Sequence, residues 1–330
     1  VATGSHAVIP DDLAAAAQHE GITLHTSDTV MRLDEQPERM LVVGGGYIAM
    51  EMAHVFSAFG TQVVVTARGD RLLRHLDDDI SAAFTTAATE QWDVRLGTQV
   101  TDLHRGDTGI TATLTDGSTV ETDVVLVATG RRPSTQDMGL DLAGVQVHDD
   151  DRVVVDEHGR TTADGVWSLG DASSPFQLKH VANHEARVVA HNLEHPDDLR
   201  ANTLGPVPAA VFTHPQVASV GLTVEQALAD YGADAVTVKT QSFGDVAYGW
   251  AMEDTEGVCT VVAEKATGRI LGGHILGHEA ANLIQPLVTG MAFGIDAHRL
   301  ARGQYWPHPA LTEVVENALL GLDVPDSGLL

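Results

Sequence analysis

Apolar residues recur along this chain with a helical period in some stretches and a period of two in others. Residues 47–59 carry Ile48, Met52, Val55, Phe56 and Phe59 on one side of a helical repeat, and Gly60 follows, which predicts an amphipathic helix and its end. Before it, residues 40–43 are a compact apolar run leading into Gly44-Gly45-Gly46, and residues 62–66 form a second such run. Strand, helix and strand in that order make a βαβ unit of a parallel sheet. Residues 11–20 read as a short helix closed by Gly21, and residues 80–91 as a longer one. Residues 94–96, 100–104, 110–114 and 119–121 alternate in strand fashion, with Asp116-Gly117 as a hairpin turn. Residues 124–127 are a buried strand running into Ala128-Thr129-Gly130. Residues 131–165 are loop-rich and acidic, 166–169 read as a strand ending in Gly170-Asp171, and 181–193 as a helix.

Composition shifts over residues 195–208, where His, Pro, Asp and Gly cluster, and this marks a boundary. Beyond it, residues 209–212, 235–241, 258–264 and 270–276 predict antiparallel strands, with 265–268 as a hairpin loop. Helices predicted at 223–231, 279–294 and 310–320 complete an α+β domain. A chain of 330 residues, 43% of them hydrophobic, is long enough for two or three such cores. Its apolar runs are too short to span a bilayer, and no signal peptide is visible. The net charge of −27 argues against a nucleic-acid or anionic-membrane partner, because phosphates would be repelled. The single cysteine, Cys259, allows no disulfide framework and no Cys-based metal site, and it reads as a buried thiol on a strand. No metal is expected, and a cytoplasmic, reducing compartment fits. The chain opens on Val1 inside an apparent motif, Val1-Ala2-Thr3-Gly4, which reads as the continuation of a segment preceding it.

Three places carry chemistry. Gly44-x-Gly46-x-x-Ala49 lies between a strand and a helix, where glycines permit a tight turn and a diphosphate can approach the helix N-terminus. A site for NAD would place an acid at the end of the second strand to hold the ribose hydroxyl. This chain has Ala67 there, then Arg68, Arg71 and Arg74, which suits the 2′-phosphate of NADPH. The bland alternative is a solvated basic loop neutralised by Asp70 and Asp77. Third, Tyr305-Trp306-Pro307-His308-Pro309 is followed by Glu313, an arrangement that suits an imidazole base oriented by a carboxylate. A second His-Pro, His214-Pro215, has no such partner in sequence and is assigned no catalysis.

Taken in order, these segments resemble the pyridine nucleotide–disulfide oxidoreductases. The order comprises an Ala-Thr-Gly turn at 2–4, the fingerprint at 44–49, a second Ala-Thr-Gly turn at 128–130 and Gly170-Asp171. Phe212-Thr213-His214-Pro215-Gln216 with Val220-Gly221-Leu222-Thr223 then resembles the opening of the family's dimerisation domain. The resemblance covers essentially the whole chain. It implies an α/β fold, with Rossmann-like FAD/NAD(P)-binding domains plus a C-terminal α+β dimerisation domain. The implied division is 1–4 as the end of an FAD-binding segment, 5–130 as the NADPH-binding domain, 131–204 as the remaining FAD-binding segment, and 205–330 as the dimerisation domain.

The resemblance further implies FAD and NADPH as cofactors, a homodimer, and a low-molecular-weight disulfide as substrate. His308 matches the family's base, which serves the partner subunit's site, and Glu313 its orienting acid. Gly44, Gly46, Ile48 and Ala49 fall in the nucleotide fingerprint, with Arg68 and Arg74 beside it. Tyr47 matches the residue covering the nicotinamide pocket, and Glu51 the partner of a lysine next to the flavin. Gly130 belongs to the second turn, Asp171 matches a ribityl ligand, and Gln177, Leu178 and Lys179 match the stretch along the flavin. Two family features are absent from these residues: the first glycine fingerprint, and the redox Cys-x4-Cys. The 330 residues alone are therefore expected not to reduce disulfides. Two further readings stay open: a family enzyme with a different disulfide substrate, and a non-catalytic NADPH-binding dimeric module.

Overall fold

A computed structural model of the chain describes residues 1–203 and 205–329. Leu204, at the boundary expected from sequence, and Leu330, at the expected end of the last domain, lie outside the described residues. The chain divides into two compact units, one of residues 1–8 and 130–205 and the other of residues 9–129 and 206–330.

In the larger unit the βαβ pattern becomes a five-stranded parallel sheet. Its strands run in the order Leu24–His25, Val124–Val127, Arg39–Val43, Gln62–Ala67 and Asp93–Leu96. Successive side chains of the central strands face opposite layers, as the pleat requires. Leu41, Val43, Val125 and Val127 pack with Leu13 and Ala17 of the helix Asp11–His19 and with Leu103 and Ala112 of a three-stranded antiparallel sheet. Met40, Val42 and Leu126 face the helices Tyr47–Ala58 and Asp78–Gln91 through Ala49, Ala53, Phe56, Ile80 and Phe84. Fully buried parallel strands of this kind read in sequence as continuous apolar runs, which is why residues 40–43 and 124–127 were legible.

The same unit holds a five-stranded antiparallel sheet in the order Pro208–Val211, Gln216–Gly221, Ile270–Gly277, Val258–Glu264 and Val236–Ser242. One face, with Ala218, Val220, Cys259, Val261 and Ile275, packs on the helices Gln285–Phe293, Ala297–Arg302 and Glu313–Leu320. Val211, Val217 and Leu276 of the other face join the core beneath the parallel sheet.

Two expectations are corrected and one unexpected strand is found. The helix expected at 279–294 is two helices, Ala280–Leu283 and Gln285–Phe293, because Pro286 lacks an amide proton and instead begins the second. The strand Gln216–Gly221 is not evident from sequence, where Ala218, Ser219 and Gly221 blunt the alternation. The strand expected at 166–169 is reduced to a single bridge between Trp167 and Arg160, with Leu169 N–H donating to the Val1 carbonyl at 3.1 Å. In the smaller unit, Ser5–Ala7 pairs antiparallel with Arg131–Pro133, and the helix Lys179–Glu194 follows the short turn Gly170–Ala172.

Candidate active site

The strand Arg39–Val43 ends in the three glycines, and each is there for a different reason. Gly44 has φ +141°, and a Cβ on it would lie 2.3 Å from the Ala128 carbonyl oxygen of the neighbouring strand's exit, so no side chain fits. A Cβ on Gly45 would meet Ala67 Cβ at 3.0 Å and Leu72 Cδ2 at 3.4 Å. Around Gly46, the N-cap of the helix Tyr47–Ala58, a Cβ would meet nothing within 4 Å. Gly46 offers no side-chain cap, and the first helical turn contains no acid, so the positive end of the helix faces open room. Ala49 is fully buried and lets the helix sit close to the sheet, while Tyr47 and Ile48 are half-buried at its start. These residues fit a dinucleotide diphosphate: close backbone approach, space and a helix terminus coincide.

The loop from Arg68 to Asp77 lies against this turn. Leu73 N–H donates to the Gly45 carbonyl at 2.8 Å, and Leu72 and Leu73 are completely buried. Arg68 and Arg74 are exposed and form no ion pair among the described residues, whereas Arg71 is held by Asp78 at 3.2 Å. Asp77 does not neutralise them. Its buried carboxylate accepts the N–H of Asp79 at 3.3 Å and of Val224 at 2.9 Å. Two unpaired guanidinium groups beside a diphosphate turn suit an extra phosphate on the adenosine ribose. Glu51, half-buried one turn into the helix, accepts Phe212 N–H at 3.0 Å, and burial raises its carboxyl above the ordinary value against the lowering effect of that bond.

Late in the chain, His308 Nδ1 lies 2.8 Å from Glu313 Oε1. Glu313 opens the helix Glu313–Leu320, and its second oxygen accepts Ala310 N–H at 3.3 Å. The loop before it is tied down by Trp306 Nε1 donating to the Ala301 carbonyl at 2.9 Å. A carboxylate only accepts, so Nδ1 carries the proton and Nε2 is left as the basic nitrogen. The His308 side chain is 68% exposed against 19% for Glu313, so the imidazole is presented outward from a buttressed acid. His214 has no carboxylate partner among the described residues, and its peptide to Pro215, like that of His308 to Pro309, is cis. Cys259 is completely buried in the strand Val258–Glu264, and burial pushes its thiol up to about 12, so it is neither accessible nor a thiolate.

In the smaller unit, Asp171 Oδ2 accepts the Ser5 hydroxyl at 2.6 Å, and Ser5 Oγ accepts Arg131 Nε at 2.8 Å. Gly170, at φ +68°, donates its N–H to the buried Glu185 at 2.6 Å, which fixes the turn carrying Asp171. Gly130, at φ +150°, accepts Val8 N–H at 3.0 Å. Gln177 and Leu178 are half-buried ahead of the helix Lys179–Glu194, and Lys179 is exposed at its first position. A cation there opposes the helix dipole, so helix stability does not explain the choice. Sequence reasoning missed Leu73, Ser5, Arg131 and Glu185, and gave Asp77 a different part, as a neutraliser of the arginines. For Ser5 and Arg131 a signal existed, since each follows one of the two Ala-Thr-Gly turns, and the strands they begin pair with each other.

Among the described residues, no three His, Cys, Asp or Glu side chains are placed to hold a metal ion, and no helix is long and apolar enough to cross a membrane. Residues 1–186 match the family model for pyridine nucleotide-disulphide oxidoreductase, and residues 207–319 match the dimerisation domain of the same family. The chain is 52% identical over 326 residues to mycothione reductase of Mycobacterium tuberculosis, covering 98% of this chain and 70% of that protein. It is 33% identical to glutathione reductase of Burkholderia cepacia, covering 95% and 68%. Among solved structures, the HOCl-induced flavoprotein disulfide reductase RclA from Escherichia coli superposes with a TM-score of 0.85 at 26% identity, covering 97% of this chain and 72% of that one. With both domain models matched in the order that the glycine turn, the arginine loop and the His308–Glu313 pair occupy, the chain belongs to the pyridine nucleotide-disulphide oxidoreductase family.

Proposed function

We propose that this chain is the NADPH-binding and acid–base part of an FAD-dependent disulfide reductase whose substrate is mycothione. The observation that carries the reading is the hydrogen-bonded His308–Glu313 pair, an exposed base with a fixed tautomer. The 52% identity to mycothione reductase favours mycothione over other low-molecular-weight disulfides. When bound, NADPH and FAD supply the two electrons that convert the substrate disulfide to two thiols. The residues divide the remaining work. The glycine turn with Gly44, Gly46 and Ala49 receives the diphosphate of NADPH, Arg68 and Arg74 its 2′-phosphate, and Tyr47 and Ile48 flank the nicotinamide end. Glu51, Gly130, Asp171, Gln177, Leu178 and Lys179 serve the flavin side, Asp171 by accepting hydroxyl protons of the ribityl chain. His308 Nε2 takes a proton from the attacking thiol and returns one to the leaving thiolate, and Glu313 holds the ring.

The thiols that exchange with substrate are not among these residues, since Cys259 is buried. The matched dimerisation domain supports a homodimer, and in this reading His308 serves the partner subunit's site. The test is His308→Ala in the holoenzyme. Reduction of the flavin by NADPH, followed by stopped-flow absorbance, should keep its rate, while mycothione turnover falls by about 10²- to 10⁴-fold. Loss of flavin reduction as well would remove His308 from the role of base. A non-catalytic NADPH-binding module predicts no disulfide turnover in either protein.

A further inference from the structure

The loop that carries Arg68 and Arg74 is braced by side chains to which the cofactor reading gives no part. Leu72 sits at its centre, completely buried. Its N–H donates to Thr85 Oγ1 at 3.0 Å, and its carbonyl accepts Ser81 Oγ at 2.7 Å. Both hydroxyls come from the helix Asp78–Gln91, and Thr85 donates onward to the Ser81 carbonyl at 2.7 Å. Ser81 has no exposed surface. The next residue, Leu73, holds φ +51°, a left-handed conformation unusual for leucine, and it is the residue that donates to Gly45. A continuous series of hydrogen bonds thus runs from the helix through Leu72 and Leu73 to the glycine turn, with one unpaired arginine on each side of it.

The two hydroxyls pair the buried N–H and carbonyl of Leu72, which no strand or helix ladder satisfies. Leu72 and Leu73 are apolar and would stay buried without them. Buried hydroxyl-to-backbone bonds select one backbone geometry among several of similar burial. The geometry selected here holds a leucine in a sparsely populated conformation, which persists only where its surroundings over-determine it. The consequence of that conformation is where the loop, and so Arg68 and Arg74, stand relative to the diphosphate turn. Recognition of a phosphate by paired guanidinium groups depends on such placement.

We infer that Ser81 and Thr85 are positioning residues for coenzyme choice, setting the preference for NADPH over NADH through the backbone of Leu72 without touching the coenzyme. This rests on the assignment of Arg68 and Arg74 to the 2′-phosphate. The experiment measures dissociation constants of NADPH and NADH for the holoenzyme by fluorescence titration in four proteins: Ser81→Ala, Thr85→Val, Thr85→Ser, and the double variant Arg68→Ala with Arg74→Ala. Ser81→Ala and Thr85→Val should weaken NADPH about tenfold, the effect of one hydrogen bond, and leave NADH unchanged. Thr85→Ser keeps the hydroxyl and should bind as the parent does. If the double arginine variant loses NADPH selectively while Ser81→Ala and Thr85→Val do not, the positioning role is overturned and the arginine assignment stands. Equal loss of both coenzymes in Ser81→Ala and Thr85→Val also overturns it, because the hydroxyls would then serve the fold alone. Equal loss in the arginine variant overturns the assignment beneath it.

Discussion

Two His-Pro pairs look alike in sequence and differ in one contact: Glu313 reaches His308 at 2.8 Å, and among the described residues no carboxylate reaches His214. Replacing Glu313 by Gln removes the obligate acceptor, so Nδ1 no longer has to carry the proton. Disulfide turnover should fall by about 10²- to 10⁴-fold, as expected when the acid fixing a catalytic tautomer becomes an amide, with flavin reduction by NADPH unaffected. His214→Ala should change neither rate. His274 allows a second prediction at this scale. It is almost fully buried, with Nε2 2.9 Å from the Leu222 carbonyl and Nδ1 without a partner, so the neutral ring is the form the fold holds. Burial lowers its pKa below the ordinary imidazole value, against the raising effects of Leu222 and Asp77. Below about pH 6.5 the unfolded chain therefore takes up a proton that the folded chain resists. The stability it contributes is fully present above that pH and is lost as pH falls through the lower folded value. His274→Gln should flatten the fall of the thermal midpoint between about pH 7 and pH 5.

At the scale of elements, the glycine turn separates stability from binding. Gly44→Ala forces a methyl to within 2.3 Å of the Ala128 carbonyl at a positive φ, and should cost about 2 to 4 kcal/mol in urea unfolding. Gly46→Ala meets nothing within 4 Å and should change stability by less than about 0.5 kcal/mol while weakening NADPH, because the methyl enters the space ahead of the helix. The turn and its flanking elements were legible in sequence, since strand, glycines and helix are contiguous and their signals local. Elements whose identity depends on distant partners were not. Gln216–Gly221 is a strand because Ile270–Gly277 and Pro208–Val211 lie on either side of it, and its own small residues do not announce it. The helix Ala297–Arg302 is short, and its one sequence signal was Asp296, whose side chain accepts Arg299 N–H at 2.9 Å as an N-cap. The same division holds for the site. Arg68, Arg74, His308 and Glu313 stand in recognisable local patterns, whereas Leu73, Ser81, Thr85 and Asp77 act through contacts that only the folded chain makes.

For the whole molecule, a net charge of −27 opposes an anionic coenzyme, so attraction must be local. Arg68 and Arg74, which form no ion pair among the described residues, are the local charge that the proposed binding mode would use. The antiparallel domain presents the exposed His308 on the loop ahead of a helix packed against the sheet that holds Cys259, and burial in that sheet removes this thiol from the chemistry. The most direct measurement is the initial rate of NADPH oxidation by the holoenzyme with mycothione and with glutathione disulfide at matched concentrations. The account predicts turnover with mycothione at a kcat/KM at least about a hundredfold above that for glutathione disulfide. Equal or faster turnover of glutathione disulfide, or no NADPH-dependent reduction of mycothione, would contradict it.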